Sequence, residues 1–89
     1  MIKYFLKVTS EVTPENLCRH PSRIEYYGKR TEYLSSHYEP TNSDLKIFGF
    51  GSLKAAETVK DQKEKNYSRD DNKFHTWTHK VEILSREIN

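Results

Sequence analysis

The first dozen residues decide the class of fold. Ile2, Tyr4, Leu6 and Val8 fall on alternate positions, with Lys3, Lys7 and Thr9 between them and Phe5 among the latter. A period of two sends successive side chains to opposite sides of an extended backbone, and β-branched and aromatic residues suit a pleated surface. Residues 2–12 therefore read as a half-buried strand. One strand is not stable alone, so the rest of the chain must supply partners and a cover for the apolar side. At 89 residues that is a single domain, 1–89, with a thin core. Hydrophobic residues are 34% and charged residues 31%, so the core rests on its aromatics: Trp77, four Phe and six Tyr. Tyrosine fills a core with its ring and still presents a hydroxyl to water.

Further along, Thr13-Pro14-Glu15 is a helix start: a capping hydroxyl, a proline suited to the first turn and an acid at the positive helix end. The spacing predicts one short turn over Pro14–Cys18, stopped by Pro21. Between 22 and 38, Ile24, Tyr26, Tyr27, Tyr33, Leu34 and Tyr38 favour one or two strands, with Gly28-Lys29 a tight turn or bulge. Residues 39–44 read as a loop. Leu45–Phe50 reads as a short strand, with Leu45 and Ile47 on one face and Phe48 and Phe50 on the other. Ser52 then caps a helix running through Leu53, Ala55, Ala56 and Val59 to about Tyr67. Leu53, Ala56, Val59 and Lys63 form its stripe, apolar only in the first two turns. The first half is expected to pack and the second to project. Lys60 with Glu64 and Asp61 with Lys65 are pairs at helical spacing. Ser68–Asn72 is a turn by composition. Phe74–Ile88 is the last strand, with His75, Trp77, His79, Val81 and Ile83 on one face.

The resulting fold class is α+β: a mainly antiparallel sheet of 3–5 strands, one main helix packed on one face, and a short helical turn after the first strand. Most strand pairings should be local. The connection from 45–50 to 74–88 contains a helix and allows a parallel pair or an inserted strand. Trp77 and Leu6 are expected in one core against Leu53 and Val59.

Charge and cysteine narrow the function classes. Fifteen basic and thirteen acidic residues give a formal charge of +2, too balanced for a dedicated duplex-DNA binder. A single cysteine, Cys18, excludes an internal disulfide and suits a reducing compartment. Lys7 cuts the N-terminal apolar run short of a signal-peptide core, and no segment is long enough to span a membrane. The expected location is cytoplasmic.

No residue set specifies an enzyme. Cys18, His20, His75 and His79 are zinc-type ligands. On a strand, however, His75 and His79 stand more than about 12 Å apart at roughly 3.3 Å of rise per residue. No metal and no cofactor are expected, and none should be needed for folding. Cys18-Arg19-His20 places a cation by a thiol without an orienting group or oxyanion hole, so packing explains the cysteine better. Gly49 and Gly51 lack the spacing of a nucleotide loop, and a sharp turn into the helix explains them.

The interleaving of Arg19, Arg23, Lys29 and Arg30 with Tyr26, Tyr27 and Tyr33 has the composition of a single-strand nucleic-acid surface, weakened by Glu25 and Glu32. The same residue types dominate protein interfaces. The expected binding residues are Arg23, Tyr26, Tyr27, Arg30 and Tyr33. On an unbroken strand Tyr27 and Tyr33 share one face, Tyr26 and Arg30 the other, and one set should be exposed.

The stretch Leu45-Lys46-Ile47-Phe48-Gly49-Phe50-Gly51-Ser52-Leu53-Lys54-Ala55-Ala56-Glu57, with the closing Trp77-Thr78-His79-Lys80-Val81-Glu82-Ile83, resembles small accessory proteins of phages and mobile elements, anti-CRISPRs especially. There a strand ending in an aromatic leads into a helix with an alanine pair, and a short strand closes the chain. The resemblance covers about half the chain. It implies a phage-encoded, non-catalytic inhibitor that binds stoichiometrically to a host defence nuclease complex, a CRISPR-Cas effector or other nucleoprotein complex, in the host cytoplasm. Acidic groups such as Glu57, Glu64, Asp70 and Asp71 could imitate phosphates, although the lysines among them argue against a pure mimic. The alternative is a small single-stranded nucleic-acid-binding module. A homodimer through an open sheet edge is a further expectation.

Overall fold

The computed structural model describes residues 1–13, 22–67 and 76–89. The helical turn expected over Pro14–Cys18, the turn at Ser68–Asn72, and Cys18, His20 and His75 lie outside them. The described elements are β1 (Ile2–Thr13), β2 (Ser22–Tyr27), β3 (Tyr33–Ser36), α1 (Asn42–Phe48), α2 (Leu53–Tyr67) and β4 (Thr76–Glu87). The fold is α+β, with four antiparallel strands in the order β3-β2-β1-β4.

β1 lies inside the sheet and buries side chains on both faces, Leu6 and Val8 on one and Phe5 on the other. It pairs with β4 from Ile2↔Glu87 to Thr13↔Thr76 without a register shift. On its other side it pairs with β2, from Leu6↔Tyr27 to Glu11↔Ser22. Two of the three described pairings join consecutive strands, as expected, while the longest is the non-local one between the first and last strands. A 3-10 turn at Lys29–Thr31 links β2 to β3, and a bulge between Tyr26 and Tyr27 disturbs their ladder.

Each face of the sheet carries a helix. On one, Leu6, Val8, Val81 and Phe50 close around Ala56 of α2, with Tyr4, Tyr27, Val59, Tyr67 and Ile83 at the margin. On the other, Phe5, Tyr26 and Ile88 close around Leu45 of α1, with Ile24, Leu34 and Leu84 beside them. The main helix thus lies on one face, as the pattern predicts, and its cap is Ser52, whose Oγ accepts from the Ala55 N–H at 3.2 Å. Lys60 and Glu64 form the expected ion pair at 3.1 Å.

The segment read as a strand, Leu45–Phe50, is a correction. Residues 42–48 are helical. Thr41 Oγ1 accepts from the Asp44 N–H at 3.2 Å, and Asp44 itself sits at the positive end of the helix dipole. Gly49 ends α1 by donating to the Leu45 carbonyl at 2.9 Å. A Cβ at Gly49 would meet that oxygen at 2.5 Å, so only glycine lets the chain leave the helix there. Phe50 alone is extended. It exchanges two backbone hydrogen bonds with Tyr4, at 3.0 and 2.8 Å, continuing the sheet beyond the end of β2. Arg86 clasps α1 to the sheet. Its guanidinium donates to the Pro40 carbonyl (2.5 Å), Asn42 Oδ1 (3.2 Å) and Glu39 Oε2 (3.0 Å), and lies 5.5 Å from the Phe5 ring centre.

The predicted core is corrected in two places. Leu6 and Val59 meet as expected, but Leu53 is 46% exposed. Trp77 shares the face of Leu6 and lies outside both apolar clusters. No described helix is long and apolar enough to cross a membrane.

Candidate functional site

On the α2 face the strand registers lay out successive rows. Tyr27, Leu6 and Ile83 form one; Glu25, Val8 and Val81 the next; Arg23, Ser10 and His79 the third; Val12 and Trp77 the last. Along β1 and β4 the first two rows are apolar, and the third turns polar at Ser10 and His79. The C-terminal half of α2 lies over these rows, Lys63 above Tyr27 of the first and Tyr67 on His79 of the third, because Ala56, Val59, Lys63 and Tyr67 recur at helical spacing. The second half of α2 therefore packs rather than projects, and what it packs on is polar and aromatic.

Ser10 is 2% exposed, and its Oγ lies 2.7 Å from His79 Nδ1. The imidazole has two aromatic neighbours. Tyr67 stacks on it at 4.1 Å between centroids and 23° between planes, and Trp77 lies at 6.4 Å and 13°. The exposed Arg23 places its guanidinium 4.8 Å from the Trp77 ring centre. The four side chains make one stack across β2, β4 and α2.

Beside the stack, Lys63 Nζ sits 3.6 Å from the centre of the Tyr27 ring, a cation–π contact at close range. Tyr27 donates its hydroxyl to Glu25 Oε2 at 3.3 Å and meets Tyr33 edge-on at 5.9 Å and 77°. Burial, and next the Glu25 carboxylate, push the Tyr27 phenol up to about 12. Burial lowers the Lys63 ammonium below its ordinary value, partly offset by Glu25. The lysine is held over a ring rather than in water, and Glu25 serves both neighbours.

An open groove of about 590 Å³ runs beside this cluster, lined by Glu64 and Tyr67 of α2 and by Thr76–Val81 of β4. Ser10 is buried, and its hydrogen bond to His79 ties β1 to β4.

Among the five predicted residues, the structure brings Arg23 and Tyr27 into the site and leaves Tyr33 at its margin, 52% exposed. Tyr27 and Tyr33 share a face, not along an unbroken strand but as partners across the β2–β3 hairpin. Tyr26 does not join them. It points to the α1 face, 5% exposed and 6.0 Å from the Phe5 ring, so it is a core residue and not part of an outer set. Arg30 is exposed in the 3-10 turn, with a left-handed φ of 59°, and stands outside the strand pattern. Glu25, Lys63, Tyr67, Trp77 and His79 are site residues that the segment-by-segment reading did not gather. The signal for Lys63 was its place on the helix stripe. For Trp77 and His79 it was the face they share with Val81.

No protein-family model, curated protein or solved structure matches this chain.

Proposed function

We propose that this chain is a non-catalytic protein-binding inhibitor, acting stoichiometrically on a host defence nuclease complex in the manner the anti-CRISPR resemblance implies, in the host cytoplasm. The contact surface is the polar, aromatic margin of the α2 face: Arg23, Tyr33 and Trp77, supported from below by Tyr27, Lys63 and His79. One observation carries the reading. Two rings of this site already hold a cation: Trp77 the Arg23 guanidinium at 4.8 Å and Tyr27 the Lys63 ammonium at 3.6 Å. A single-strand nucleic-acid platform needs open ring faces on which bases can stack. A rigid aromatic–arginine patch with its rotamers already held suits a protein interface, where such residues dominate binding energy and preorganisation lowers the entropy lost.

The test adds the purified chain to a CRISPR-Cas nuclease and follows target cleavage at increasing molar ratio. Loss of cleavage near one to one, abolished by Arg23→Ala with Tyr33→Ala in a variant that still melts as the wild type, supports the proposal. Salt-dependent binding of labelled single strands, with no effect on any nuclease complex, would replace it with the nucleic-acid reading.

A further inference from the structure

The outer side of β4 is open: among the described residues no strand pairs with it. The ladder with β1 says which groups it offers. Ile88 donates to the Met1 carbonyl at 2.7 Å, and the register continues unbroken from Ile2↔Glu87. Antiparallel residues alternate between inward-bonded and outward-facing backbone groups. Even-numbered β4 residues therefore bond to β1, while Val81, Ile83, Ser85 and Glu87 turn their N–H and C=O outward. Sheet edges are ordinarily blunted by shortness, proline or bulges. β3, at the other edge, has four residues and a bulged ladder. β4 has twelve residues, no proline, no glycine and no register shift.

We propose that the C-terminal half of β4, Val81–Glu87, is a dimerisation edge that pairs antiparallel with the same segment of a second copy, centred on Leu84. Antiparallel self-pairing closes on a two-fold axis and leaves no further edge of the same kind exposed. Charge selects the centre. About Leu84, Glu82 of each copy stands opposite Arg86 of the other, twice over, adding a second carboxylate to the one Arg86 already meets in Glu39, and Leu84 meets Leu84 at a non-hydrogen-bonded position, where side chains approach most closely. A shift to Glu82 would set that carboxylate against itself, and a shift to Ile83 would set Lys80 against Arg86. Like charges directly opposite are destabilising. A centre on Val81 would oppose Lys80 to Glu82, but it would run the second copy along the stretch flanked by Glu64 and Tyr67 of α2.

The intact chain is tested by sedimentation across a concentration series, with no other protein present, so the result is independent of the inhibitor reading. The expected species has twice the 10.6 kDa chain mass. Ser85→Pro removes an outward N–H and leaves the β1 ladder intact, so it should keep the melting temperature and sediment as a monomer. Glu82→Lys, which faces Arg86 across the axis, should do the same. In a Cys18→Ser background, Leu84→Cys should oxidise to a linked dimer and Val81→Cys should not. A wild-type chain that stays at 10.6 kDa at every concentration overturns the proposal, as does a Ser85→Pro dimer as tight as the wild type. Linkage at position 81 and not at 84 overturns it too.

Discussion

Both faces of this sheet are built by the same alternation, and they are covered in different ways. On the α1 face, Phe5, Tyr26, Leu45 and Ile88 make a closed apolar contact, with Arg86 laid over it as a strap. On the α2 face, the apolar rows stop at Ser10, and Lys63, Tyr67, His79 and Trp77 continue the contact in polar form. The helices account for the contrast. α1 has seven residues, far short of the length at which a helix persists by itself, so every contact beneath it must stabilise it. α2 has fifteen, a serine cap and an internal ion pair. It does not need an apolar face along its last two turns, where Lys63 and Tyr67 make cation–π and stacking contacts instead.

The largest test of that contrast is Phe5→Ala. Removing a fully buried ring under α1 should destabilise by about 3–5 kcal/mol, enough to unfold a marginal domain. Urea denaturation reads it, and a midpoint near wild type would mean that the α1 face is not the firmer one. Trp77→Ala comes second. The ring is part-exposed and outside both apolar clusters, so the expected loss is about 1–2 kcal/mol, with the Arg23 contact gone. A loss as large as that of Phe5→Ala would erase the distinction between the faces.

The smallest effect is electrostatic. The Tyr27 phenol is raised from 10.0 to about 12 by burial and by Glu25, so the unfolded chain releases this proton first. The contribution is whole below pH 10 and is lost as pH rises from 10.0 toward about 12. In an ultraviolet titration Tyr27→Phe should remove a late tyrosinate step and make the fall of stability over that window gentler. Absence of the late step would place Tyr27 in water. Lys63 works in the opposite sense: its lowered value means stability recovers as pH rises through that value toward the unfolded 10.5.

Much of this architecture was legible in the sequence wherever a segment held one period for long enough. β1, β4 and α2 follow their patterns nearly to the residue, because twelve or fifteen positions leave little room for a rival period. Leu45–Phe50 misled because six residues satisfy both periods. The deciding signal was the Thr41-Asn42-Ser43-Asp44 cap just upstream, with Gly49 as the stop. The site was half legible. Tyr27 and Tyr33 do share a face, but as cross-strand partners of a hairpin and not along the unbroken strand that alternation assumed, and alternation does not say whether a helix covers the other face. Tyr26 was misplaced for that reason, since α1 was not foreseen. Arg30 was misplaced because the 3-10 turn breaks the strand. Arg23 and Trp77 meet only because β1 lies between β2 and β4, a fact of topology that no local pattern contains.

The pairing of β1 with β4 also bears on how the chain reaches its folded state. Ser10 and His79, joined at 2.7 Å, are 69 positions apart, and the whole of β2, β3, α1 and α2 lies between them. Loop-closure entropy must be met before so distant a contact returns anything, and folds dominated by such contacts form slowly. The β1–β2 pair, joined by a far shorter connection, can assemble first and present one bare edge of β1. The last strand then docks on a prepared template. Until it does, Leu6 and Val8 have no β4 beside them, and the strand on which both helices depend is also the one most exposed to mispairing.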